Sequence, residues 1–197
     1  MKIMGLDLAI GTTGLCLPDG STMRIKPKGK GDDRLNEIRD HIRLAARTSW
    51  TDLVVLEDVP SNMKGAAGKV IPMLHGSVRS MLADDGLPYV EISPSTLKKY
   101  ATGQGNCDKT AMAMWAYKRA HAEFADDNEC DAWWLHVAGM ERAEQPLFIL
   151  PLPQRQALKV ADWSPLAVAA TRLRARQKAA QGVPVVRLAD VLADPFE

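Results

Sequence analysis

The chain is poor in cysteine, with three in 197 residues: Cys16, Cys107 and Cys130. An odd number without paired spacing builds neither a disulfide framework nor a zinc site, and it suits a reducing cytoplasm. No apolar run approaches the ~20 residues that a membrane span requires. The N-terminus enters a strand pattern directly, so no signal peptide is expected. Net charge is nearly absent, +1 at pH 7, so bulk charge does not mark a nucleic-acid binder. There is no internal repeat.

What is present is a globular composition, 46% hydrophobic and 25% charged, on a chain long enough for one core and a small appendage. The cations are unevenly spread. They gather at residues 24–30, 98–109 and 155–178.

The opening carries the first question. "GLDLAIGTTG" is an apolar run that ends in Asp7 and breaks into glycines and threonines. A carboxylate at the tip of a hydrophobic strand is expensive unless a cation or a reacting group sits on it. Residues 2–8 read as a buried strand, with Gly11 and Gly14 in the turn that follows. A strand around residues 15–17, a "PDGS" hairpin and a strand over 22–26 complete an antiparallel meander. A helix follows, with Leu35, Ile38, Ile42 and Ala45 at helical spacing and Asp32 or Asp33 as its cap. "DLVVLEDVP" suits a strand covered on both faces and ending in Glu57. Residues 69–85 form a helix through Met73, Leu74, Val78 and Met81. "LPYVEIS" is a strand, and "SPSTLKKY" is one or two helical turns capped by Ser95. Residues 109–124 and 127–142 are helices. The order predicts an α/β domain with a mixed sheet. Beyond residue 144 the composition shifts to a proline-bounded apolar arm, a basic helix over 164–181 with Pro165 at its start, and a short tail.

Asp7 and Glu57 end two strands, while Asp127 and Asp131 are four apart on the last helix of the core and share a face. Each acid alone also fits a bland role, as a turn cap, a helix cap or a solvated surface group. Together they predict convergence at one sheet edge. Carboxylates so gathered repel one another unless cations neutralise them, and hard oxygen ligands suit Mg²⁺ or Mn²⁺. Two such ions about 4 Å apart are a standard device for hydrolysing phosphate esters.

Four segments, "GLDLAIGTTG", "VVLEDVP", "SPSTLKKYATGQGNCDKTAM" and "NECDAWWL", resemble RuvC-type Holliday-junction resolvases, including those borne by phages. The resemblance covers roughly residues 2–140. It implies a ribonuclease-H-like fold: a mixed five-stranded sheet flanked by helices, here with a C-terminal extension. It divides the chain into a nuclease domain, 1–144, and an arm with a basic helix, 145–197, packed on the core or on a dimer partner. It implies a homodimer that cuts branched DNA, the four-way junction, with two Mg²⁺ or Mn²⁺ ions per site, in the cytoplasm. Asp7, Glu57 and Asp131 match the family's acids, and Lys98 and Lys109 match its two functional lysines. Lys64, Lys69, Lys98, Lys99 and Lys109 are the expected DNA contacts.

The chain departs from the family pattern at two positions. Asn128 stands where the fourth acid is usual, which makes Asp127 the expected charged ligand and Asn128 its neutral competitor. Pro60 stands where an aromatic wedge is common. Trp133 and Trp134 are expected in the core. Other readings stay open at this point: a broader flap or fork nuclease, a non-catalytic branched-DNA binder, and an actin-like ATPase. The last would need a second phosphate loop, and none follows residue 100.

Overall fold

The computed structural model describes residues 1–59, 65 and 67–181. Its centre is a five-stranded sheet built from β1 (Ile3–Asp7), β2 (Thr13–Cys16), β3 (Thr22–Ile25), β4 (Leu53–Glu57) and β5 (Tyr89–Ile92), in the order β3-β2-β1-β4-β5. The first three strands are antiparallel neighbours, while β1–β4 and β4–β5 are parallel. The β2–β3 hairpin closes through Gly20 at φ +87°, with Asp19 accepting hydrogen bonds from the Ser21 amide and hydroxyl.

Alternation along the strands sorts the core into two layers. Met4, Leu6, Val54 and Leu56 face α1 (Gly31–Thr48) and α2 (Ala67–Asp84), whose Leu35, Ile38, Ile42, Leu74, Val78 and Met81 fill that side. Ile3, Leu53 and Val55 face the other side. There they meet α5 (Asp127–Arg142), with α3 (Pro94–Thr102) and α4 (Lys109–Ala120) outside it. Trp134 is fully buried, as expected, and donates its indole N–H to the Met112 carbonyl at 3.1 Å. Trp133 is packed beside it. Leu150, just before α6 (Leu152–Ala157), Leu158 of the 3₁₀ turn Leu158–Val160, Trp163, and Ala169 of α7 (Ser164–Gln181) join the same cluster. Among the described residues no helix is long and apolar enough to cross a membrane.

Several local expectations are corrected. Gly14 lies inside β2, not in a turn. The loop before β2 is closed by buried Thr13, whose hydroxyl donates to the Ala9 carbonyl at 2.8 Å. The α1 cap is Lys30, with no side-chain bond. Asp32 and Asp33 sit in the first turn, where they complement the positive end of the helix. The loop before α1 is held instead by Glu37, which accepts the Lys28 and Gly29 amides at 3.0 and 2.9 Å. Ala46, not Ala45, completes the buried stripe of α1, and Met73 is exposed. Ser93 caps α3 by accepting the Thr96 amide, because Pro94 takes the first helical position and pushes Ser95 into the first turn. The helix α4 stops at Ala120, since His121 turns left-handed at φ +52°.

Candidate active site

The parallel pairing of β1 with β4 sets Leu6 opposite Leu56, so Asp7 and Glu57 end their strands at the same level. Both fall on the Ile3–Gly5–Asp7 and Leu53–Val55–Glu57 side, the face covered by α5. Three glycines let α5 lie close. Gly139 faces the side chains of Ile3 and Val55, Gly5 faces the backbone of Ala132 and His136, and Gly14 faces the backbone of Asn128 and Glu129. Going from Gly139 to Asn128, the helix follows β1 from Ile3 toward Asp7. It therefore runs antiparallel to β1 and brings its N-terminal turns, with Asp127 and Asp131, to the acidic end of the strand.

The electrostatics follow from that placement. Asp7 is 8% exposed. Burial pushes its carboxyl well above the usual carboxylate range; Glu57 and Asp131 push it further, and Lys109 pulls it back. Burial, then Asp131, raises Glu57 to about 7, against Lys98 and Lys109. Asp131 is raised by burial and lowered by the same two lysines. Three carboxylates and two ammonium groups thus sense one another at one rim of the sheet. Lys98 is half-buried on α3, while Lys109 opens α4 from the N-cap Asp108.

Asp127 is engaged differently, in an ion pair with Lys109. The N-cap of α5 is Asp126, whose carboxylate accepts the Glu129 amide at 3.1 Å. Lys69 and Lys99 are exposed and are not among the principal charges acting on these acids. Lys64 and Pro60 lie outside the described residues.

Among the described residues, no three His, Cys, Asp or Glu side chains form a ready-made cage for a metal ion. The donor chemistry nevertheless fits a hard divalent cation. The groups are carboxylates, buried at Asp7 and half-buried at Glu57 and Asp131, and their mutual repulsion is what a cation would relieve.

No known family profile matches the chain. Its sequence is 27% identical over 124 residues to the crossover junction endodeoxyribonuclease RuvC of Bordetella parapertussis, covering 58% of this chain and 68% of that protein. It is 29% identical over 123 residues to the RuvC of Rickettsia rickettsii, covering 57% and 78%. The fold superposes on Thermus thermophilus RuvC in complex with a Holliday junction substrate with a TM-score of 0.60 and 18% identity, over 74% of this chain and 97% of that one. In sequence and in fold the chain is similar to RuvC-type resolvases. The mixed five-stranded sheet with its flanking helices is the ribonuclease-H-like fold that the motifs implied.

Three features of this RuvC-like site went unread in the sequence. Gly5, two residues before Asp7, is where α5 lands. Arg24 on β3 pairs with both Asp126 and Glu129. Glu129 itself is buried and turned toward the sheet. Only the last had a legible signal, because Asp126 and Glu129 have the spacing of a capping box.

Proposed function

We propose that this RuvC-like chain is a divalent-metal-dependent endodeoxyribonuclease that resolves four-way DNA junctions. It acts as a homodimer and makes paired symmetric nicks with 5′-phosphate and 3′-hydroxyl ends. The observation that carries this reading is the convergence of Asp7, buried, and Glu57 and Asp131, half-buried, at one rim of the sheet, opposed by lysines. Two further findings support it. The sequence relatives bear the name crossover junction endodeoxyribonuclease, and the Thermus neighbour was solved with a Holliday junction.

Asp7, Glu57 and Asp131, with Asp127 beside them, would hold a pair of Mg²⁺ or Mn²⁺ ions, which when bound lower the pKa of a water and offset charge on the departing oxygen. The chain's own groups do the rest. The rigid sheet end keeps Asp7 and Glu57 in register, which fixes where a phosphodiester can sit. Lys98 and Lys109 stand against the acids and oppose negative charge that grows on the phosphate oxygens. Lys69 and Lys99 extend the cationic surface along the DNA backbone, so affinity should fall as salt rises. A two-fold dimer presents two such sites to opposite strands. Three unbridged thiols suit action in the cytoplasm.

The test is incubation of the full chain with a four-way junction and Mg²⁺ or Mn²⁺, beside Asp7→Asn and Asp131→Asn. Paired nicks on opposite strands, lost in both variants, are expected. A junction that is bound but uncut with either metal would overturn the enzymatic reading in favour of a binding protein. Equal rates on flaps and forks would replace it with a general branched-DNA nuclease.

A further inference from the structure

The first turn of α5 is bound to the far edge of the sheet by a second cluster beside the acids. Arg24 projects from edge strand β3, and its guanidinium forks between Asp126 at 3.3 Å and Glu129 at 3.1 Å. The Arg24 side chain is 31% exposed and that of Glu129 only 10%. The second oxygen of Glu129 accepts the Thr22 hydroxyl at 3.2 Å and the Ala125 amide at 3.0 Å. Asp126 in turn caps the helix on the Glu129 amide. Two strand side chains, one loop amide and the carboxylates of Asp126 and Glu129 therefore close on a single helical turn.

That turn contains Asp127, and Asp131 is one turn further on. The glycine contacts fix how high α5 rides above β1, but they leave the azimuth of its leading end to other groups. A simple cap needs only Asp126. A carboxylate buried at Glu129 costs several kcal/mol unless it is paired and hydrogen-bonded, and the fold retains it fully partnered. A planar, two-pronged guanidinium restrains both translation and rotation of the turn, as a single ammonium group would not.

We infer that Arg24 and Glu129 are positioning residues. Together they clamp the leading turn of α5 to β3 and so hold Asp127 and Asp131 in line with Asp7 and Glu57. The inference rests on the metal-dependent reading above. It concerns residues that touch neither the acids' cation nor the scissile phosphate in that reading.

The experiment is calorimetric titration of the full-length protein with MnCl₂, for the wild type, Arg24→Ala, Arg24→Lys and Glu129→Gln. Arg24→Ala should weaken Mn²⁺ binding by about 10- to 100-fold, the range seen when groups behind metal ligands are removed. Arg24→Lys, which keeps the charge without the fork, should fall between it and the wild type. Glu129→Gln keeps the size and should also bind less tightly. The metal-free unfolding midpoint of Arg24→Lys, which leaves Glu129 a cation to pair with, should move by no more than about 5 °C, which separates lost positioning from lost folding. Mn²⁺ affinity in Arg24→Ala within twofold of the wild type would overturn the inference and leave a mere helix cap, with the proposed nuclease untouched. A wild-type chain with no Mn²⁺ affinity would overturn the metal reading itself, and this inference with it.

Discussion

The backbone nitrogen of His136 stands 2.6 Å from the point that a β-carbon on Gly5 would occupy, and the Ala132 carbonyl is closer still. Helix α5 lies directly on the main chain of β1, two residues from Asp7. Both obstacles are backbone, so no flexible side chain can yield. Gly5→Ala should therefore push α5 outward. It should destabilise at the upper end of the ~1–3 kcal/mol typical of overpacking, or beyond it, and abolish junction cleavage. Urea unfolding and a nicking assay would check this. A variant with wild-type stability and activity would contradict the packing described here.

The crowded acids predict an opposition between stability and activity. Glu57 ionises at about 7 in the fold against an ordinary 4.5. Its folded state therefore binds the proton more tightly than the unfolded chain does. Its contribution to stability is greatest below about 4.5 and is lost as pH rises through about 7. In the metal-free protein at pH 8, Glu57→Gln should raise the unfolding free energy, by at most about 3 kcal/mol for a shift of this size, while eliminating cleavage. The gain should vanish near pH 4.5. Mg²⁺ or Mn²⁺ should stabilise the wild type more at pH 8 than at pH 5.5, and Glu57→Gln less than the wild type at either pH. Thermal melts at the two pH values, with and without metal, measure both effects.

Asp127 and Asp131 should not be equivalent. Asp131 acts on Asp7 and Glu57, whereas Asp127 is paired with Lys109. Asp131→Asn should lower the cleavage rate by roughly 10³-fold or more, of the order seen when a principal electrostatic group is lost. Asp127→Asn should cost about 10- to 100-fold, the scale of a group that supports a ligand set. Single-turnover rates on a four-way junction would separate them. Equal losses would place Asp127 on the same footing as Asp131.

Buried His136 gives a pH dependence of the other sign. Burial lowers its pKa from 6.5, while the hydrogen bond between its Nδ1 and the Ile3 carbonyl works against that shift. The folded chain keeps the ring neutral where the unfolded chain protonates it. Its contribution is whole above pH 6.5 and is lost as pH falls from there toward the lowered folded value. The slope is at most about 1.4 kcal/mol per pH unit. Denaturant unfolding between pH 5 and 7.5 should show that slope as the difference between wild type and His136→Gln. An identical pH profile in the two proteins would contradict a neutral buried ring.

The meander, the two parallel strands and the helix over 127–142 were all legible, because alternation, turn chemistry and apolar spacing are local signals. The acids could be grouped for a similar reason: each closes an element whose direction the pattern reveals. Cap identity was less accessible. Ser93 and Ser95 are both good caps, and only the position of Pro94 distinguishes them. The exposure of Met73 was invisible for a different reason, since a helical stripe shows which residues can be buried but not how far the neighbour reaches. Gly5 and Gly14 read as strand and turn glycines, yet both serve the approach of a helix more than a hundred residues away. Arg24 opens a cluster of cations whose purpose the sequence leaves unread, and it is spent on Asp126 and Glu129. Contacts of that kind are set by tertiary packing, which leaves no period in the chain.

Residues 132–139 of α5 are buried without interruption, sheet beneath and helices outside. A segment so enclosed can exchange its amide protons only when the whole molecule opens, whereas exposed loops exchange through local fraying. The acid-bearing end of α5 thus grows out of a segment expected to open late. Thermal fluctuation is expected to loosen the periphery before it disturbs the spacing of Asp7, Glu57 and Asp131.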